Sequence, residues 1–282
     1  MALPLGFDAE DFVRRTLAED LGSGGDVTSS ATIAADARFT AEMSCRQAMV
    51  VAGLEIAAAF FHALDPGVEV EPMLKDGDRV EHGTVLMRLA GNARAMLAAE
   101  RSALNTLQHL SGIATLTRRY VDAIEGTGAV LLDTRKTLPG LRELEKYAAR
   151  MGGAQNHRMR LDDGVLIKDN HVAVCGGVAE AVRRAKSANT GLQVQVEVDR
   201  IDQIEPALAA GADRLLLDNM DPAKLREAMK LVSGRVPLEA SGGVTLETIR
   251  FLAETGVDYI SVGRITQSAP AVDIGLDYAI SR

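Results

Sequence analysis

The amino-acid sequence predicts an α/β protein in which an irregular α+β unit precedes a parallel sheet covered by helices. Three observations predict it. Beyond Gly126, apolar β-branched segments alternate with amphipathic helical ones, the pattern of strands buried on both faces. The residues that close the later strands, Lys168, Glu197, Asp218, Ser241 and Val262, recur at steps of 29, 21, 23 and 21. That rhythm suggests a barrel and leaves a doubly wound sheet open. The first third carries no such repeat, only short strands interleaved with single helices.

Element by element, Phe12, Val13, Leu17 and Leu21 recur at helical spacing after Asp8, and the run from Gly22 to Asp26 stops them. Gly22-Ser23-Gly24-Gly25 does not stand between a strand and a helix, so it reads as a turn rather than a phosphate loop. Strands are expected at 39–43, 49–51, 68–71 and 84–89, with a helix at 54–64. The stretch from Met73 to Val80 has the look of a carrier hairpin presenting Lys75, but Asp76-Gly77 directly after the lysine is ordinary turn chemistry. Residues 93–125 form a long helical pattern through Met96, Leu104, Leu107 and Ile113, with Gly112 as the expected break. This places an α+β domain at 1–110 and an α/β domain at 111–268, with 269–282 packing back on the first. Strands follow at 129–133, 165–168, 193–199, 214–218, 236–240 and 258–262, and helices at 177–188, 202–210, 222–232 and 246–255.

Composition narrows the function. A chain of 282 residues with 47% hydrophobic and 25% charged residues folds as one or two domains and is not disordered. A net charge of -8 argues against nucleic-acid or anionic-membrane partners. Cys45 and Cys175 are far apart and lack a CxxC partner or a nearby histidine pair, so neither a disulfide framework nor a zinc site is suggested, and a reducing cytoplasm fits best. No leader-like opening and no bilayer-length apolar run is present, so a soluble, unprocessed protein is expected.

The carboxyl ends of parallel strands are where α/β proteins gather functional side chains. Here they carry Asp133-Thr134-Arg135-Lys136, Lys168-Asp169-Asn170-His171, Glu197-Val198-Asp199, Asp218-Asn219, Glu239 to Gly243 and Gly263-Arg264. One such charge is commonly solvated or caps a helix; six successive ends imply convergence. Arg135, Lys136, Arg158 and Lys168, with His157, imply a small polyanion, since guanidinium forks bind carboxylates and phosphates. Arg160 is expected instead to pair with Asp162 and Asp163. Glu197 and Asp218 end neighbouring strands and suit magnesium shared with substrate oxygens; pairing with the nearby cations is the alternative. Ser241-Gly242-Gly243 and Val262-Gly263-Arg264 suit a phosphate. There is no GxSxG, and no GxGxxG after a strand. Lys168 could form a Schiff base, though Asp169 beside it favours the charged amine.

Taken in order, Glu100-Arg101-Ser102-Ala103-Leu104-Asn105, Asp133 to Arg142, Asn156-His157-Arg158, Lys168 to His171, Glu197-Val198-Asp199, Leu217-Asp218-Asn219 and Glu239 to Val244 resemble the quinolinate phosphoribosyltransferase family. The resemblance runs from Glu19 to Asp273. It implies an incomplete α/β barrel after an N-terminal open-faced α+β sandwich, in a homodimer or a hexamer. It implies a magnesium-dependent pentosyltransferase with no organic cofactor, which converts quinolinate and phosphoribosyl pyrophosphate into nicotinate mononucleotide, pyrophosphate and carbon dioxide in NAD biosynthesis. By this similarity Thr134, Arg135, His157, Arg158 and Lys168 hold the pyridine dicarboxylate, with Arg101 from a neighbouring subunit. Lys136, Glu197, Asp218 and the loops 241–243 and 262–264 hold the phosphoribosyl donor, and Lys136, Lys168, Glu197 and Asp218 are the catalytic set. Arg160, Arg264 and Gln267 depart from the family pattern, which has small residues and often a histidine there. Rival readings are a related molybdenum-linked phosphoribosyltransferase, whose Lys-Asp-Asn-His segment differs, and a barrel lyase using Lys168.

Overall fold

The structure, a computed structural model, describes residues 6–278; the remaining positions of the expected first domain and tail, 1–5 and 279–282, lie outside it. In chain order the elements are α1 (Ala9–Leu21), α2 (Val27–Thr32), β1 (Arg38–Cys45), β2 (Met49–Val50), α3 (Leu54–Leu64), β3 (Glu69–Pro72), β4 (Arg79–Val80), β5 (Val85–Asn92), α4 (Ala93–Ala123), β6 (Val130–Leu132) and α5 (Arg142–Met151). They continue with β7 (Val165–Ile167), α6 (Asp169–Cys175), α7 (Val178–Ser187), β8 (Val194–Val198), α8 (Ile204–Ala209), β9 (Arg214–Asp218), α9 (Pro222–Val232), β10 (Leu238–Ser241), α10 (Ile249–Ala253), β11 (Tyr259–Ser261), α11 (Arg264–Gln267) and β12 (Ile274–Tyr278). The chain divides into two compact units. Of the described residues, the first takes 6–116, Glu143–Gly153 and 268–278; the second takes Thr117–Arg142 and Ala154–Gln267.

The first unit is built on an antiparallel sheet of order β12-β1-β5-β3. Alternation buries Ala41, Met43, Met87 and Leu89. It leaves Glu42 and Arg88, opposite each other in register, to pair at 3.0 Å on the other face. One face is thus apolar and one wet, as an open-faced sandwich requires. The segment 73–80 is not a single hairpin: β3 joins β5, while β4 joins β2 in a separate two-stranded sheet. Asp76 accepts the backbone N–H groups of Gly53 and Leu54 at 2.8 and 3.1 Å and the Tyr147 hydroxyl at 2.6 Å, so it caps α3 and anchors α5.

Two sequence expectations are corrected here. Gly112 does not break α4, which runs unbroken from Ala93 to Ala123. Its lack of a side chain serves a close approach instead: a Cβ there would lie 2.2 Å from the Pro270 carbonyl oxygen. The charged segment Arg142–Met151, not expected to be helical, forms α5 and buries Glu145 and Lys146 beside Leu144 and Tyr147. The Glu145 carboxylate meets His109 Nε2 at 2.9 Å.

In the second unit six parallel strands follow the order β6-β11-β10-β9-β8-β7. That is the cyclic order of a β/α barrel left open between β6 and β7; an isolated bridge from Leu132 to Gln155 lies along β6 there. The chain is therefore an incomplete α/β barrel with an open-faced α+β unit, and not a doubly wound sheet. Strands end within two residues of their expected bounds, but α10 begins at Ile249 rather than 246, because a turn closed by Thr245 and Thr248 precedes it. Among the described residues no helix is long and apolar enough to cross a membrane.

Gly112→Ala forces a backbone shift against Pro270, and overpacking of this kind costs about 1–3 kcal/mol. Thermal denaturation is expected to show a lower Tm; an unchanged Tm would mean that the 270 segment yields freely.

Candidate active site

The carboxyl ends of the six barrel strands surround a cleft of about 730 Å³. Because side chains alternate along a strand, Leu166, Leu216 and Glu239, each two residues before the lining residues Lys168, Asp218 and Ser241, also reach the cleft and form its floor.

The cationic part is organised by Asp133, fully buried at the end of β6. Its carboxylate accepts Asn156 Nδ2 at 2.5 Å and the His157 backbone N–H at 2.7 Å, which ties the segment 156–158 to β6. The next residues of the same strand end, Thr134, Arg135 and Lys136, therefore share the cleft with His157 and Arg158. Thr134 Oγ1 accepts the Lys136 N–H at 3.0 Å, and Arg158 donates to the Gly164 carbonyl at 2.8 Å. Burial and then the neighbouring Arg135 charge lower the pKa of Arg158. Arg135 Nε is itself buried without a hydrogen-bond partner. Two guanidinium groups held this close call for an anion between them. Lys168, at the N-cap of α6, completes the group, its backbone N–H donating to His171 Nδ1 at 2.9 Å. Arg160, as expected, pairs at the surface with Asp162, at 3.0 Å.

Glu197 and Asp218 end the adjacent strands β8 and β9 and both line the cleft. Burial first, and then the Asp218 charge, push the Glu197 carboxyl above its ordinary range, with Lys168 acting against them. Asp218 accepts Asn219 Nδ2 at 2.7 Å. Among the described residues no group of three or more His, Cys, Asp or Glu is arranged to hold a metal by itself.

The glycine loops meet beside these acids. Asn219 donates its backbone N–H to the Ser241 carbonyl at 2.9 Å, and Gly242 closes against it. With φ at +96° and a hypothetical Cβ only 2.2 Å from Asn219 Oδ1, position 242 admits glycine alone. The Lys136 stem runs past Gly263, and Lys136 O accepts the Thr266 hydroxyl at 2.7 Å. Ser241 to Gly243 and Val262 to Arg264 all line the cleft, as does Gln267.

One expected residue stands apart: Arg101 is exposed on α4 in the first unit and is not among the lining residues. Conversely, Glu239 stands at an expected strand end but with no role assigned to it, and its partners Gln195 and Arg214 on neighbouring strands go unsignalled by any local pattern. For Glu239 itself the signal was available, since it stands two residues before Ser241 and so shares its inward face.

The comparisons with known proteins agree along the chain. Residues 26–111 match the model of the quinolinate phosphoribosyl transferase N-terminal domain and residues 113–277 that of the C-terminal domain. The nicotinate-nucleotide pyrophosphorylase [carboxylating] of Mycobacterium leprae is 44% identical over 277 residues, covering 96% of this chain and 98% of that protein. The crystal structure of nicotinate-nucleotide pyrophosphorylase from Ehrlichia chaffeensis superposes with a TM-score of 0.93 at 39% identity, over 97% of this chain and 100% of that one. The structure of the enzyme of that name from Francisella tularensis gives 0.92 at 40% identity, over 96% of each chain.

A raised folded-state pKa for Glu197 means that its ionised form costs stability once the pH rises past the ordinary carboxylate range, and costs nothing in acid. Asp218→Asn is expected to lower the pH at which Glu197 titrates and to remove part of that cost at neutral pH. A carboxyl 13C NMR titration reads the shift; an unmoved midpoint would rule out repulsion between the two acids.

Proposed function

The chain belongs to the quinolinate phosphoribosyltransferase family and transfers phosphoribose to quinolinate with decarboxylation, and from that premise we propose how its cleft divides the work. The observation that carries the division is the separation of charge: four cations at the ends of β6 and β7 and in the 156–158 segment, two carboxylates at the ends of β8 and β9.

Arg135, Arg158 and Lys168, with Thr134 and His157 in the wall, take the pyridine dicarboxylate. Lys136 and the loops 241–243 and 262–264 take the phosphates of the donor, whose backbone N–H groups and small side chains suit an anion. Glu197 and Asp218 face the ribose. As the bond from the sugar carbon to pyrophosphate breaks, positive charge develops on the sugar and negative charge on the leaving oxygen. The carboxylates stabilise the first, and Lys136 with Arg264 the second. The ring nitrogen then attacks the sugar carbon. The resulting pyridinium stabilises the carbanion left on the ring carbon when the adjacent carboxylate departs as carbon dioxide, and that carbon then takes a proton from solvent to give nicotinate mononucleotide. No side-chain nucleophile is needed; holding two polyanions side by side is the main task.

The acids also fit magnesium. Their mutual repulsion favours a cation, and two carboxylates leave positions for donor oxygens and water. When bound, the ion neutralises charge on the leaving pyrophosphate. No organic cofactor enters this scheme. We further place Arg101 in the cleft of a partner subunit, in a homodimer or hexamer; its exposure on α4 supports this. Two unpaired cysteines, Cys45 and Cys175, support a reducing, cytoplasmic setting.

With magnesium and phosphoribosyl pyrophosphate, the purified protein is expected to consume quinolinate and release nicotinate mononucleotide; turnover of another pyridine in its place would sink the substrate assignment. Arg135→Ala is expected to weaken quinolinate use by about 2 kcal/mol or more, with a smaller effect on the donor. Equal loss for both substrates counts against the clamp. Mixing inactive Arg101→Ala and Lys168→Ala proteins restores activity if the site is shared between subunits, and leaves it absent if each site is complete in one chain.

A further inference from the structure

Glu239 has no part in the division of labour above, yet it is the most enclosed charge at the cleft, with 0% exposure. Its Oε2 accepts Gln195 Nε2 at 2.8 Å and lies 2.7 Å from the Arg214 guanidinium, which stacks 3.8 Å above the Tyr259 ring. These residues come from neighbouring strands in register, Gln195 beside Arg214 and Glu239 beside Tyr259. They form one polar layer across β8, β9, β10 and β11, of which Glu239 reaches the cleft floor. A buried ion pair adds little stability over apolar residues of the same shape, so stability does not account for it.

His157 supplies the account. Its Nδ1 accepts the Arg158 backbone N–H at 2.8 Å and so carries no proton. The proton of the neutral ring therefore sits on Nε2, which faces Glu239 Oε2 at 3.5 Å. A doubly protonated ring would direct a second N–H against that of Arg158. Burial alone would raise the pKa of Glu239, but an N–H facing it from His157 and the Arg214 charge lower it, and the carboxyl lies below its ordinary range, so it remains an acceptor. Its other oxygen, Oε1, is buried without a hydrogen bond, so the carboxylate retains acceptor capacity beside the ring.

We propose that Glu239, held by Arg214, is a positioning residue that locks His157 as the Nε2–H tautomer and so fixes the Arg158 backbone in the dicarboxylate half of the cleft. This rests on the assignment of that half to the pyridine dicarboxylate. His157 is then a neutral, fixed wall, and the charge that binds substrate comes from Arg135, Arg158 and Lys168. The polar layer of Gln195, Arg214, Glu239 and Tyr259 acts on substrate through that ring.

The test is NMR of protein labelled with 15N histidine; the chain has five histidines, and His157→Gln identifies the relevant signals. At neutral pH the His157 ring is expected to show a protonated Nε2 and an unprotonated Nδ1. Glu239→Gln keeps the shape and removes the charge. It is expected to give a mixture of tautomers and to raise the quinolinate KM by about tenfold, with kcat and the donor KM held within about twofold. A purely structural role would instead lower the Tm and disturb both substrates together. The proposal is overturned by a wild-type His157 that is doubly protonated or carries its proton on Nδ1, or by equal KM changes for both substrates. Should the variant not fold, the wild-type spectrum decides alone. If wild-type protein leaves quinolinate untouched, the cleft assignment fails, while the spectrum still judges the pairing of Glu239 with His157.

Discussion

The functional end of the barrel depends on one buried carboxylate. Asp133 closes β6 with no exposure to solvent and takes N–H donors from Asn156 and His157. Those bonds hold an irregular segment against the strand that carries Arg135 and Lys136. Residues 156–158 lie directly after Gln155, at the open side of the barrel, where pairing along β6 is reduced to an isolated bridge. An irregular segment is costly to order, and a charge-assisted hydrogen bond away from water is a strong means of doing so.

The site ordered in this way stores unfavourable electrostatics on both flanks. Arg135 depresses Arg158, and Asp218 raises Glu197. Each repulsion is relieved by a ligand of opposite sign, so one cleft gains from binding anions at one part and a cationic centre at another. Cations and carboxylates do not cancel each other directly because the strand order keeps the β6 end and the β8 and β9 ends apart, with β10 and β11 between them. Lys168, directly after β7 at the N-cap of α6, is where the two sets meet, and it moderates the Glu197 shift.

Much of this was legible in the sequence because strand ends in a parallel sheet have a fixed meaning. Lys168, Glu197, Asp218 and the 241–243 loop stand at the places their spacing implies, each within the cleft. Illegible parts broke a local rule for a tertiary reason. Helix α5 buries Glu145 and Lys146, so its charged sequence reads as surface. Gly112 reads as a helix break because the Pro270 carbonyl that needs the space is 158 positions away in the chain. Glu239 reads as one more strand-end charge; its partners Gln195 and Arg214 lie on other strands, beyond any local pattern.

The strand β12 carries a consequence for assembly of the fold. It pairs with β1, Cys45 with Ile274 and Ala41 with Tyr278, across more than two hundred residues of intervening chain. Contacts of such long sequence separation are slow to form, since the loop they close must be ordered first. On the ribosome, β1 emerges long before its edge partner exists, and all six barrel strands are made in between. The open-faced sheet must therefore wait with one edge uncovered, and its completion reports that the barrel sequence has been synthesised.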